Sequence, residues 1–422
     1  MPTKAILNLE KLSLGTAHLT KLTTDLRISL LVSKLWVRDF LNHDFPQMIP
    51  TISILPIQQL ASGDRLSIQV YKFIGAKPGK KAYLQANLHG AEIVGNAVIS
   101  QLIEFLMGLN DTQLLGKIWL VPVCNPLSTN QRTHFFSTGR YNIYDGKDWN
   151  RIFWDYEKEC DDLEDFAKTQ INLEPTEIRA NYLECIQTLF KKQLEKIQSS
   201  SSVPFHERYR YQLQSLCLDA NYLIDIHSSS NQAIDYLYCF QSREENAKAF
   251  LLNYGILMND YDGDAFDEAF MKPWLALEKN LAGLGKEIQF DIDSWTLELG
   301  SGMQMNLESV EKGILGIKNY LARKGILEIQ GFPLEGTDSH QVNFTIKSQI
   351  KKYYSPAGGM IQSRVELGSS IKVGQLLYQV LSFNKNGELP TLIDVCCEAD
   401  GLVFDVSTNQ AANQGEYVLS VM

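Results

Sequence analysis

Residues 82–126, AYLQANLHGAEIVGNAVISQLIEFLMGLNDTQLLGKIWLVPVCNP, decide the fold class. AYLQANL is a short apolar run that ends at His89 and Gly90. From 91 to 108 apolar side chains recur near the helical period and stop at Gly108, and KIWLVPV then returns to an extended run closed by Cys124, Asn125 and Pro126. Strand, helix and strand within about 40 residues make a βαβ unit, which requires a parallel sheet buried on both faces. Working outward, TISILPI (51–57) and LSIQVYKFI (66–74) read as strands, separated from each other and from AYLQANL by the turn signals SGD and KPGK. Downstream, YLIDIH (222–227), DYLYCF (235–240) and SWTLELG (294–300) read as further strands, followed by a helix over 306–324. The expectation is an α/β unit over 49–335 with a mixed, mostly parallel sheet flanked by helices. A charged, helix-prone stretch over about 152–218, with seven acidic residues between Asp155 and Asp165, reads as a helical insertion. After GFPLEG the chain becomes β-rich and punctuated by glycine, which predicts a small C-terminal β-barrel domain over 346–422. Residues 1–48 read as a helical or mixed leader, apolar at Leu30, Leu31, Leu35 and Val37 beside Trp36.

The 422 residues suffice for two or three units that bury their own cores. With 45% hydrophobic and 21% charged residues the composition is that of an ordinary globular protein. Lys plus Arg number 39 against 49 Asp plus Glu, a net charge of −10, so nucleic acid is not an expected partner. Seven cysteines without a C-x-x-C pair argue against a disulfide framework or thiolate-bound zinc. The opening stretch lacks the pattern of a secretory signal, and the apolar run from Ile28 to Val37 is interrupted by Ser33 and Lys34, too short and too polar to span a membrane. The expected setting is the cytoplasm, with no membrane partner; a homo-oligomer stays open.

Four pieces carry chemistry. His89 and Glu92, spaced H-x-x-E across a strand-to-helix turn, can converge on one cation. His227, in LIDIHSSS, ends another strand of the parallel set, and ligands gather at the carboxyl ends of such strands. Two imidazoles and one carboxylate leave a fourth zinc position for water, the pattern of a catalytic site. FSTGRYNIYDGKDWNR (136–151) offers Arg140, Asp148, Asn150 and Arg151, and Arg with Asn suits a substrate carboxylate and a developing oxyanion. Glu298, a lone carboxylate in the apolar strand WTLELGS, would have its pKa raised by burial and fits a general base. Each piece alone has a plain structural reading: a capped helix, a turn histidine oriented by Asp225, a solvated loop, an internal ion pair.

Taken together, the order H-x-x-E, R…D-G-x-D-x-N-R, D-x-H, T-x-E-x-G resembles the succinylglutamate desuccinylase/aspartoacylase family, relatives of the zinc metallocarboxypeptidases, over roughly Ile52 to Met422 with 152–218 unmatched. The resemblance implies a zinc carboxypeptidase-like fold and one zinc ion on His89, Glu92 and His227. It further implies Glu298 as base, Arg140 at the oxyanion, Asn150 and Arg151 on a substrate carboxylate, and Asp148 behind His89, fixing its tautomer. The implied activity is hydrolysis of the amide of a small N-acylated amino acid or similar carboxylate-bearing amide. A metallocarboxypeptidase acting on peptides and a catalytically silent binding protein of the same fold are the alternatives. The tail echoes the biotinyl/lipoyl-like glycine pattern of the family's β domain but has no lysine in the hairpin setting that carrier domains modify. One departure is Trp149, in D-W-N-R, where Leu is more usual; it bears on the pocket beside Asn150.

Overall fold

Ten strands belong to the first part of the computed structural model, which describes residues 48–134, 136, 138–160, 162–198 and 203–422. The leader expected over 1–48 lies outside the described residues apart from Met48. The strands are β1 (Thr51–Gln59), β2 (Arg65–Ile74), β3 (Lys77–Ala86), β4 (Leu115–Val121), β5 (Tyr222–Ser229), β6 (Gln232–Ala233), β7 (Tyr236–Phe240), β8 (Tyr254–Met258), β9 (Asp293–Ser301) and β10 (Asn343–Ile346). All but β6 join one sheet in the order β1-β2-β4-β3-β5-β9-β7-β8-β10. Its centre, β4-β3-β5-β9, is parallel, as is β7-β8-β10, while β1, β2 and the β7–β9 seam supply the antiparallel pairs. The mixed, mostly parallel sheet expected from the βαβ pattern is therefore present.

Strand periodicity divides the core into two layers. Ala82, Leu84 and Ala86 of β3, Ile224 and Ile226 of β5, and Leu297 and Leu299 of β9 face one side, where they pack with the helices Val94–Met107 and Leu307–Arg323. The alternate residues Tyr83 and Leu223 face the other side, against the helix Phe266–Gly283. That second layer also receives the insertion, which is helical as expected: Leu163–Gln170, Pro175–Gln198 and Phe205–Gln214. Its aromatic residues bind it to the helix Phe266–Gly283, with Tyr182 edge-on to Trp274 at 5.3 Å, and hold it together within, with Trp154 edge-on to Phe190 at 5.3 Å. Because side chains alternate along a strand, Asp225 and His227 of β5 and Thr296 and Glu298 of β9 all point into this second layer.

Two expectations about the far end are corrected. The large sheet does not stop near 335 but takes its last strand from β10, whose four residues NFTI pair in parallel with β8; so short a run gives no periodicity to read. The C-terminal strands β11 (Lys351–Tyr354), β12 (Gly359–Gln362), β13 (Ser370–Ile371), β14 (Leu376–Ser382), β15 (Thr391–Cys396), β16 (Gly401–Val406), β17 (Ala411–Ala412) and β18 (Tyr417–Val421) enclose one small core that includes Leu377, Val403 and Leu419. They do not close into a barrel. They form two open antiparallel sheets, β11-β18-β16-β13 and β15-β14-β12-β17. The edge of β16 beyond β13 is occupied by β6, with Asp405 opposite Ala233 and Val406 opposite Gln232, so a strand from the segment just after His227 sits where closure would need another hairpin. Among the described residues no helix is long and apolar enough to cross a membrane.

Candidate metal centre and active site

The turn after β3 is built by side chain-to-backbone bonds. Asn87, at φ 66°, donates its amide Nδ2 to the carbonyls of His89 (3.0 Å) and Glu92 (3.2 Å), which folds the chain so that both side chains leave on the same side. Gly90 N–H donates to the carbonyl of Gly139 at 3.1 Å. A Cβ on Gly90 would lie 2.2 Å from the Ser128 carbonyl, and one on Gly139 would lie 2.7 Å from the Gly90 Cα. Both positions therefore require glycine, and their contact is what carries the Arg140 loop onto the end of β3.

His89, Glu92 and His227 are all buried, and their ligand-type atoms lie within 4.8 Å of one another. His89 Nδ1 is 2.9 Å from Glu92 Oε1 and His227 Nδ1 is 2.8 Å from Glu92 Oε2. The opposite ring nitrogens face carboxylates: His89 Nε2 is 2.9 Å from Asp148 Oδ1, and His227 Nε2 is 2.9 Å from Asp225 Oδ2. The second contact is close but off the line of a good hydrogen bond, while the other oxygen of Asp225 accepts the Gln85 amide at 3.0 Å. When an imidazole gives its Nε2 proton to a carboxylate, its Nδ1 lone pair is free for a cation. Two backed imidazoles and a carboxylate, converging in a buried recess, fit a single zinc with one side left open.

Electrostatics agree. Burial alone would lower the imidazole pKa values, but Glu92 and Asp148 raise that of His89, and Asp225 and Glu92 raise that of His227. Burial alone would raise the Glu92 carboxyl; the two imidazoles instead hold it well below its usual range. Positive charge is thus favoured where the three converge. Burial would also raise Asp148, yet the His89 contact and the Arg140 guanidinium bring it down to about 2, so it is ionised throughout neutral pH. Glu298 behaves oppositely. Burial is the largest influence and pushes its carboxyl up to about 7, helped by Glu92 and opposed by His227. Its Oε2 has no hydrogen-bond partner among the described residues, and in the parallel register of β5 and β9 it stands opposite His227.

The remaining sequence-derived residues lie on the same cleft, an open space of about 590 Å³. Arg140 Nε is 3.0 Å from Asp148 Oδ2, and its Nη1 donates to Ser230 Oγ at 3.3 Å. Ser230 in turn donates to Glu92 Oε1 at 3.0 Å. Asn150 spends its side-chain oxygen on the N–H of Phe266 (2.8 Å), which leaves its NH2 group as the remaining donor. Arg151 is exposed and donates Nη1 to the Asn150 carbonyl at 2.6 Å. Trp149 turns away from the cleft, edge-on to Tyr209 at 5.5 Å and Phe205 at 6.0 Å. The larger side chain is thus accommodated by the insertion and leaves the pocket beside Asn150 unobstructed. No residue of 152–218 lines the cleft among those described.

Sequence reasoning missed one wall. Tyr354, Phe404, Asp405 and Tyr417 reach the cleft from the C-terminal sheets, and Asp267 and Glu268 from the helix Phe266–Gly283. Asp405 accepts hydrogen bonds from Ser229 and from Tyr417, the latter at 2.5 Å, which ties the tail to the segment that follows His227. The only sequence signal was the serine run after His227, which shows local polarity but not its distant partner.

A mixed α/β sheet with a buried His-Glu-His group at its strand ends defines the class: an α/β protein built around a candidate metal centre. Comparison with known proteins shows what the chain is similar to. Residues 78–184 match the model of the succinylglutamate desuccinylase/aspartoacylase catalytic domain. A provisionally assigned succinylglutamate desuccinylase/aspartoacylase from Shewanella frigidimarina is similar over 89% of this chain and 97% of its own, at 26% identity and a TM-score of 0.78. A protein of the same family from Shewanella amazonensis is similar over 88% and 98%, at 27% identity and a TM-score of 0.77. The ectoine utilization protein EutE (DoeB) of Ruegeria pomeroyi, solved with product bound, shares the fold at 16% identity and a TM-score of 0.59. No curated protein matches the chain. The resemblance that the motifs suggested is thus met by the family model over residues 78–184 and by solved structures along most of the chain, and the names of that family are those of hydrolases.

If Asp148 orients His89 and Arg140 together, Asp148→Asn should weaken metal affinity or kcat/KM by ~10–100-fold, as loss of a carboxylate behind a ligating histidine does. Metal titration and steady-state kinetics on the same preparation check this; an unchanged enzyme removes Asp148 from the site.

Proposed function

We propose that the protein is a zinc-dependent deacylase that hydrolyses the amide of a small N-acylated amino acid or a similar carboxylate-bearing amide. The reading rests on one observation: Glu298, a carboxyl held near neutrality with an unpartnered oxygen, stands in register with His227 beside the recess formed by His89, Glu92 and His227. A zinc ion held by these three side chains would supply Lewis acidity toward water and toward the amide carbonyl. Glu298 takes the proton of the attacking water and returns it to the leaving amine, a task suited to a group that titrates near pH 7. Arg140, fixed by Asp148 and Ser230, donates to the carbonyl oxygen as negative charge develops on it. Asp148 and Asp225 hold the two imidazoles in the tautomer that presents Nδ1. Asn150 and Arg151 receive the substrate carboxylate. In this reading residues 49–335 supply the chemistry, and 346–422 supply the wall that limits the cleft to small substrates. The seven free cysteines suit work in a reducing cytoplasm.

Substrate class is tested at Arg151. A guanidinium that forks a carboxylate serves the ground state and the transition state alike, so Arg151→Ala should mainly raise KM. Converting the substrate acid to its primary amide removes the same contact from the other side, so the two losses together should not add. Measurement of kcat/KM for an N-acyl amino acid and its amide, on both proteins, gives the answer. Fully additive penalties mean that Arg151 only shapes the loop, and the carboxylate requirement falls.

A further inference from the structure

Asp267 is a carboxylate that the mechanism does not use, although it faces the same cleft. It lies in the first turn of the helix Phe266–Gly283, where an acidic residue is common because the helix dipole favours negative charge. Such residues are ordinarily wet. Asp267 is only 4% exposed, and among the described residues no lysine or arginine pairs with it: Lys347 sits 3.6 Å from the neighbouring Glu268 instead. Glu268 is further engaged by the N–H groups of Asp262 and Gly263, both at 3.1 Å, so of the two carboxylates Asp267 is the one without a lysine or arginine partner among the described residues. Burial is the largest influence on its carboxyl and pushes it up, joined by the negative charge of Asp225 and opposed by the Thr296 hydroxyl, the His227 imidazole and the Glu268 N–H. A buried carboxylate without a lysine or arginine partner is costly, and an ammonium ligand arriving from the cleft reduces the cost.

Position says which part of a ligand would reach it. Thr296 pairs with Asp225 and with Tyr238, and Glu298 with His227 and with Tyr236, so the sheet presents two successive rows to the cleft. The Thr296 row, where Asp267 packs, lies one two-residue step from the row of the general base, roughly 6.6 Å at the usual strand rise. The side-chain oxygen of Asn150 accepts the N–H of Phe266, the residue next to Asp267. The groups proposed for the substrate carboxylate and the Asp267 carboxylate are therefore neighbours.

We infer that Asp267 is a specificity-determining residue that receives an ammonium group, and that the substrate is an N-acylated amino acid whose side chain ends in an amine. This rests on the deacylase reading given above. A side chain of ornithine or lysine length spans the step between the two rows. The amine leaves with its carboxylate on Asn150 and Arg151 and its ammonium on Asp267, while the scissile amide lies over the metal recess.

The test uses the zinc-loaded full chain and matched pairs that differ only in the charged group: Nα-acetyllysine against Nα-acetylnorleucine, and Nα-acetylornithine against Nα-acetylnorvaline. The wild type should prefer the ammonium member of at least one pair by at least about tenfold in kcat/KM, mostly through KM, and Asp267→Asn should collapse that ratio toward one. Calorimetry of the free products, ornithine against norvaline, should show the same preference without turnover. Cleavage of the neutral substrates without any preference for the ammonium members overturns this inference and leaves the deacylase reading intact. A preference that survives in Asp267→Asn overturns the assignment to Asp267. No cleavage of any N-acyl amino acid, with no difference in product binding, overturns both. Should Asp267→Asn not fold, the wild-type comparison still decides whether an ammonium is recognised.

Discussion

Glu298→Gln should keep the fold and the metal while losing nearly all turnover. The amide is close in size to the carboxyl and Glu298 already lacks a partner for Oε2, so the substitution strands no group that was previously satisfied. What it removes is the ability to take a proton from water at neutral pH, which general bases contribute at about 10²–10⁴-fold. The loss should fall on kcat. The sign of the pH dependence follows from the same residue. Its carboxyl is pushed up to about 7 by burial, and it must be ionised to act, so activity should fall as pH drops through that value, or through a lower one once a cation sits nearby. In Glu298→Gln that acidic limb should vanish from whatever activity is left. A variant with near-normal kcat, or an acidic limb that persists unchanged, removes the base from Glu298.

The second large effect is expected at the ligands. His89→Ala, Glu92→Ala and His227→Ala should each release most of the zinc, because two protein donors cannot hold the ion against water as three can. Glu92→Ala carries an added penalty, since it leaves two buried imidazoles facing one another without the carboxylate that now separates them. Metal analysis of the purified variants, with circular dichroism to confirm folding, measures this. If two of the three keep full occupancy and activity, the ion lies elsewhere.

Much of this arrangement is legible in the chain because it is local. The strand-turn-helix that carries His89 and Glu92 announces itself by a change of apolar period, and Asp225 is placed behind His227 by the two-residue repeat of a strand. Glu298 is visible as a charge in an apolar run. The parts that were not legible depend on long-range pairing. β6 is two residues long, too short to show any pattern, yet by pairing with β16 it brings Asp405 to Ser229. Asp267 looks like an ordinary first-turn acid; only the packing of its helix against Thr296 turns it inward. The barrel expected from glycine spacing gave way to two open sheets for the same reason, a strand borrowed from far upstream.

The central claim is that one divalent ion on His89, Glu92 and His227 enables amide hydrolysis. It is tested most directly by removing metal from the purified protein with a chelator, adding zinc back in steps, and following release of the free amino acid from a panel of N-acyl amino acids. The account predicts no turnover in the stripped protein and a linear return that saturates at one zinc per chain, with His227→Ala failing to respond. Full-rate cleavage by the stripped protein, or no cleavage at any zinc ratio, would contradict it.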